Sequence, residues 1–408
     1  MGQIKVGGEQ FETHIEADHR GQILQSGPDS GGLDAFGRQR FSEPFTLFDS
    51  ILCLSKRTDL WNETLVGGGT VNYLSNESSL ELKTTTASGD TVLRRTRKRF
   101  PYQPGKSLLT LQSFVGNAPT AGLIQEVGYF DNNNGVMLRA SGTTVQFVVR
   151  SNTSGSVVEN AVPQSEWNIN TFSSLDISKA QIFIVDMEWL GVGRVRCGFV
   201  IDGEIKYCHE FNHANALNKV YMKTAILPMS YRISNSSSIG SAATLKQICS
   251  TIISEGGYNP LGPIYSAAPA LGSVGNISTE VLVTAIRMAS GFTDNLILPS
   301  QIDAAIEGNT IGRWRLRRGV TISGASWQNA DNGRGFVEYT TSGTITASGI
   351  TEFSGLIGGR SSAQLSAQEA VQSAIGTDAN GNSDILALTI EATSATKGTA
   401  MLGWRELV

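Results

Sequence analysis

Residues 181–213, QIFIVDMEWLGVGRVRCGFVIDGEIKYCHEFNH, constrain the fold more than any other stretch of the chain. Three runs of alternating or β-branched residues, 181–190, 192–201 and 204–211, are separated by Leu190-Gly191-Val192-Gly193 and by Asp202-Gly203. Asp-Gly between two such runs signals a hairpin, because both residues tolerate the positive φ of a type I′ turn. The expected product is a three-strand antiparallel meander. Its apolar face needs a second sheet above it, which argues for a β-sandwich. The segment carries no obvious chemistry and points towards structure or binding.

The chain has 408 residues, enough for two domains or more, each with a core of its own. Glycine is abundant at 45 residues while charged residues make up only 17%, the balance of a turn-rich all-β protein. A net charge of −4 argues against nucleic acid as a partner, although Arg94-Arg95-Thr96-Arg97-Lys98-Arg99 is locally basic. The N-terminus lacks an apolar leader region, and no run of about 18 apolar residues occurs, so membrane insertion is not expected. The four cysteines, Cys53, Cys197, Cys208 and Cys249, fit no zinc spacing and read as free thiols.

Residues 1–66 read as an extended arm and anchoring segment: a polar, glycine-rich start, then Phe36, Phe41, Phe45, Phe48 and Trp61 in a short piece that demands burial. Strand signals at roughly ten-residue spacing then define a lectin-like β-sandwich over 67–255. The Gly/Pro-rich stretch 256–276 reads as a linker, with a second β-sandwich over 277–408. One short helix is expected within 361–375, SSAQLSAQEAVQSAI.

Candidate chemistry is sparse. Asp186 and Glu188 stand two apart on one expected strand and so share a face, as the paired carboxylates of lectin-like glycoside hydrolases do. The E-x-D-x-x-E order of those enzymes is absent, and a solvated or hydrogen-bonded strand face is the preferred reading. His209 and His213 bracket HEFNH, but on a strand leaving for a turn rather than on the helix a zinc site needs. Gly67-Gly68-Gly69-Thr70 lacks the lysine of a phosphate loop. Two Asp/Asn loops, 131–134 and 378–384, offer oxygen ligands to calcium, yet the second has Thr389 where an EF-hand requires glutamate. In the basic run Arg95, Arg97 and Arg99 share one face. Since buried faces do not carry three unpaired arginines, these line a salt-bridged subunit contact or a solvated surface, and the solvated surface is the preferred reading. No catalytic residue, cofactor or metal is assigned.

Four segments carry a family resemblance: DAFGRQRFSEP at 34–44, RFPYQPGKS at 99–107, WLGVGRVR at 189–196 and WREL at 404–407. From about residue 34 to its end the chain resembles virion structural proteins of tailed bacteriophages. The resemblance implies a non-enzymatic component of the particle surface, on tail or capsid, with a lectin-like sandwich. Its implied partners are other copies of itself, as a homotrimer, other virion proteins, and host surface glycan; its place is the virion, after synthesis in the host cytoplasm. The first 33 residues lie outside the resemblance and are expected to attach the protein to the particle. Asp34, Phe36, Arg38, Arg40, Phe41, Phe45 and Phe48 are the expected assembly contacts. The competing readings are a carbohydrate-binding receptor-recognition protein and a polysaccharide depolymerase. An exposed Trp or Tyr beside a polar loop would mark the first, and two carboxyls about 5–10 Å apart in a groove the second.

Overall fold

In a computed structural model, the described residues are 4–6, 13–17, 23–24 and 43–407, except 293, 331–334, 379 and 380. Contacts divide the chain into Met1–Glu43 and Pro44–Val408. In the first unit, strands Ile4–Val6, Thr13–Ala17 and Ile23–Leu24 pair antiparallel, with Ile4 opposite Ile15 and Glu16 opposite Leu24. Backbone pairing is therefore present where the sequence shows no sustained period.

The second unit is all β and contains two sandwiches. In the larger, a seven-stranded sheet runs Val158–Pro163, Thr144–Ser151, Gly135–Ser141, Leu123–Phe130, Met229–Asn235, Thr91–Thr96 and Trp61–Val66. The facing sheet runs Glu204–Phe211, Val195–Ile201, Ala180–Met187, Leu108–Val115, Ala243–Ser254, Ser79–Thr84 and Thr70–Leu74. An eighth strand, Phe45–Ile51, pairs with the second half of Ala243–Ser254. Spatial neighbours are often far apart in sequence, as in a jelly roll, so both layers must form together.

The meander appears as expected. Its Asp202-Gly203 turn has φ of 54° and 82°, and Val195–Ile201 carries a bulge between Cys197 and Gly198. Between the layers, Phe147 stacks on Trp167 with ring centroids 4.0 Å apart, and Phe183 and Phe199 close around them. Burying each such ring contributes about 1.5–3 kcal/mol. All four cysteines are free, Cys197 and Cys208 within this core.

Residues 45–66, grouped by sequence with the arm, instead supply a strand to each layer: Phe45–Ile51 to one and Trp61–Val66 to the other. The physical reason is the aromatic content. Trp61 is 1% exposed and Phe48 8% exposed, so the burial these aromatics demand is found against the body of the chain.

The second sandwich packs a four-stranded sheet, Ile264–Ala267, Gly398–Leu407, Leu296–Ile306 and Arg360–Gln364, against a six-stranded one. The latter runs Gln328–Asn329, Val337–Thr340, Val281–Met288, Leu386–Ala392, Gly312–Arg318 and Ile350–Ile357. Trp404, Leu402 and Ile302 meet Leu388, Ile390 and Trp314 in its core. Part of the expected linker is thus a strand, since Ile264–Ala267 pairs with the C-terminal strand. The helix is shorter than expected, Ala367–Gln372, because 360–364 pairs as a strand. Ser366 and Glu369 form a capping box at its start.

Candidate functional site

Of the expected assembly contacts, Asp34, Phe36, Arg38, Arg40 and Phe41 lie outside the described residues. Phe45 and Phe48 do not stand free for a partner chain. Phe45 packs against Tyr258 at 5.7 Å, and Phe48 lies between Trp61 at 5.7 Å and Phe100 at 4.9 Å. Phe48 is buried within its own sandwich, while Phe45 is partly buried against it.

The basic run is likewise not a solvated surface. Arg94 is fully buried between the layers, its Nη1 donating to Glu63 at 2.5 Å, Nε to Gln247 at 2.6 Å, and Nη2 to the Lys56 carbonyl. Burial lowers its pKa to about 10 against the opposing pull of Glu63. Arg95, Arg97 and Arg99 run along the seam between the two sandwiches. Arg95 donates to the Asp378 carbonyl at 2.8 Å, Arg97 lies 3.5 Å from Asp384, and Arg99 reaches Asp131 at 2.8 Å and Asp294 at 2.5 Å. Around them the Asn62 amide donates to the Thr377 carbonyl at 2.6 Å, and Leu296, Leu298, Ala370, Val371 and Ala374 join the first core. Sequence counts the arginines but not the aspartates, Asp294, Asp378 and Asp384, that topology brings to them from far downstream.

Asp186 and Glu188 are not a working pair. Asp186 is buried in a closed cage, accepting from Ser107 Oγ at 2.7 Å, Tyr207 Oη at 2.7 Å and the Arg196 guanidinium, which lies 4.1 Å above the Tyr207 ring. The strand ends at Met187, and exposed Glu188 accepts from the Arg194 amide at 3.2 Å. This is the hydrogen-bonded strand face preferred from sequence. His209 accepts from the Asn168 amide at 3.2 Å, while His213 contacts the Gly193 carbonyl at 2.7 Å and stacks on Tyr221 at 4.0 Å. In the first Asp/Asn loop, Asp131 Oδ1 accepts from the amides of Asn133 and Asn134, both at 2.8 Å, and Oδ2 from Arg99. In the second, both carboxylate oxygens of Asp378 accept from Asn382 at 2.8 Å. Among the described residues no group of three or more His, Cys, Asp or Glu gathers as metal ligands would.

An ionic network unmarked in the sequence lies on the outer face of the seven-stranded sheet. Glu126, fully buried, meets Arg139 at 2.8 Å, Arg150 at 3.2 Å and also Arg232. The same Arg139 and Arg150 hold Glu159 at 2.6 and 2.8 Å. These hydrogen bonds, led by that of Arg139, lower the Glu159 carboxyl to about 2 despite partial burial. Two carboxylates thus share two guanidiniums, with Phe130, Met137 and Val148 packed beside them.

A cleft of about 690 Å³ opens at the seam between strand Phe45–Ile51 and the helix. Leu47, Phe48, Phe100 and Val371 line it with apolar surface, and Thr46, Asp49, Arg57, Gln368 and Gln372 with polar groups. Lys98 also lines it. Among the described residues no hydrogen bond or ion pair holds its ammonium, and burial, followed by the charge of Arg318, lowers that group to about 7. Arg57, whose backbone is left-handed at φ 52°, is tied to Asp59 at 2.9 Å. No described Trp or Tyr is among the exposed large hydrophobic side chains, so the exposed aromatic platform of a stacking lectin site is not seen there.

The protein is therefore an all-β protein of two β-sandwiches. No protein-family model and no curated protein matches the chain. Solved structures similar to it include a Bacillus licheniformis β-glucanase, 14% identical with a TM-score of 0.35, covering 52% of this chain and 99% of the other. The CBM2 module of an evolved Dit protein from Lactobacillus casei BL23 phage J-1 is 8% identical with a TM-score of 0.36, covering 54% and 100%. Peanut lectin is 16% identical with a TM-score of 0.33, covering 52% and 98%.

Proposed function

We propose that the protein is a non-enzymatic structural component of a tailed-bacteriophage particle, carried on tail or capsid and assembling with copies of itself, as a homotrimer, and with other virion proteins through its N-terminal region. The observation that carries this reading is the seam. Arg95, Arg97 and Arg99 fasten the two sandwiches through Asp378, Asp384 and Asp294, making a stiff block suited to repeated stacking. The four sequence segments similar to phage virion proteins support the same assignment. A glycosidase needs one carboxyl that keeps its proton near neutral pH. Glu159 is held in the opposite direction, and Asp186 is enclosed by Arg196, Ser107 and Tyr207.

Mass spectrometry and electron microscopy of purified particles test the proposal. Finding this chain at stoichiometric copy number in the particle is expected, and its absence would overturn the reading. Incubation with host polysaccharide should leave polymer length unchanged; depolymerisation would make the chain an enzyme.

A further inference from the structure

Among the described residues Lys98 has no hydrogen-bond or ion-pair partner, and it lines a cleft that is otherwise equipped for a polar ring. The cleft volume, about 690 Å³, falls within the roughly 300–1,000 Å³ of small-molecule sites. Phe48 and Phe100, packed on each other in the core, form an apolar floor beneath it. Gln368 and Gln372 stand one helical turn apart on Ala367–Gln372, and both line the cleft as exposed side chains. Their amides can donate and accept, and Asp49 accepts only, a complement for hydroxyl groups. The charge balance favours an anion. Arg57 of the lining is already tied to Asp59 at 2.9 Å and the nearby Glu352 to Arg318 at 2.5 Å, which leaves the Lys98 ammonium and the Asp49 carboxylate to meet a ligand.

We propose that this seam cleft binds a carboxylated saccharide, a uronic-acid residue of a host surface polysaccharide, with its carboxylate on the Lys98 ammonium and its hydroxyls on Asp49, Gln368 and Gln372. The polysaccharide as source rests on the particle reading above; the site itself does not. A ligand carboxylate supplies the direct ion pair that no described residue gives Lys98, and a charge-assisted bond in a partly desolvated cleft is stronger than one on open surface. The charged groups around Lys98 are Arg318, Glu352, Asp384 and Asp59, with Arg57 and Asp49 in the cleft lining. Binding requires the protonated amine, so affinity should fall about tenfold per pH unit above about 7 until the bound-state pKa is reached.

Calorimetric titration of the full chain with oligogalacturonate and alginate oligomers, a neutral oligogalactoside of equal length, and citrate tests the site. At least one uronate oligomer should bind at least tenfold tighter at pH 6 than the neutral sugar or citrate. Lys98→Met should weaken that binding tenfold or more, and Gln372→Ala, at an exposed position, several-fold with the melting temperature unchanged. Equal binding of neutral sugar or citrate, insensitivity to both variants, a flat pH profile, or no uronate binding would each overturn the proposal. Particle incorporation is read separately, so failure here leaves the virion assignment standing, and absence from particles leaves the binding result intact.

Discussion

Arg99 joins the two sandwiches to each other: its Nη1 lies 2.8 Å from Asp131 of the first and its Nη2 2.5 Å from Asp294 of the second. Asp131 is nearly buried, whereas Asp294 is 63% exposed, so the two arms of the guanidinium are unequal. A buried carboxylate that loses its partner is costly, while an exposed one regains water. Arg99→Ala should destabilise the protein by about 2–4 kcal/mol, and Asp294→Ala by about 1 kcal/mol or less. Denaturant unfolding of both variants measures this; equal losses would contradict the asymmetry.

Phe48 belongs to its own core, wedged between Trp61 and Phe100. Phe48→Ala should therefore cost about 3–5 kcal/mol of folding stability. The informative measurement is the thermal midpoint across a hundredfold range of protein concentration. A loss that vanishes at high concentration would restore Phe48 to an intersubunit role.

Arg94 is buried against Glu63 and Gln247. Replacing it by alanine leaves Glu63 short of its partner, at about 3–5 kcal/mol. The double variant Arg94→Met with Glu63→Gln removes both charges and should recover a large part of that loss. A double-mutant cycle in urea gives the coupling; strict additivity would mean the pair is not coupled.

Glu159 has its folded pKa depressed to about 2 by Arg139 and Arg150. A carboxyl depressed in the folded state stabilises above its unfolded pKa, near 4.5, and loses that contribution as pH falls towards 2. Unfolding curves from pH 6 to 2.5 should show the loss beginning near pH 4.5. Glu159→Gln should be less stable at pH 6 and show a smaller decline; an identical acid slope in both proteins would sink the attribution.

Deletion of residues 1–33 removes the strands Ile4–Val6, Thr13–Ala17 and Ile23–Leu24, which lie in the unit separate from Pro44–Val408. The truncated chain should keep its circular dichroism and melting point but fail to enter particles. Normal incorporation would place the attachment elsewhere. Light scattering of the full chain bears on the trimer alone.

Local pattern sufficed for some of the fold. Alternating runs and the Asp202-Gly203 turn determined the meander, because side-chain alternation and positive φ are properties of neighbouring residues. The same holds for the all-β class and for reading Asp186 on a solvated or hydrogen-bonded strand face, since the E-x-D-x-x-E order is absent; the cage around it is tertiary. Strands Trp61–Val66 and Met229–Asn235 were not legible. Each becomes a strand through partners far along the chain, Thr91–Thr96 for both and Leu123–Phe130 for the latter. Only tertiary structure decided that the basic run is a buried seam. Its partners are the carboxylates of Asp294 and Asp384 and the backbone carbonyl of Asp378 from the second sandwich, and their approach depends on how two sheets stack, which no local periodicity encodes. The seam cleft has the same origin: Lys98 and Gln372 line one cavity only because the helix packs beside strand Phe45–Ile51.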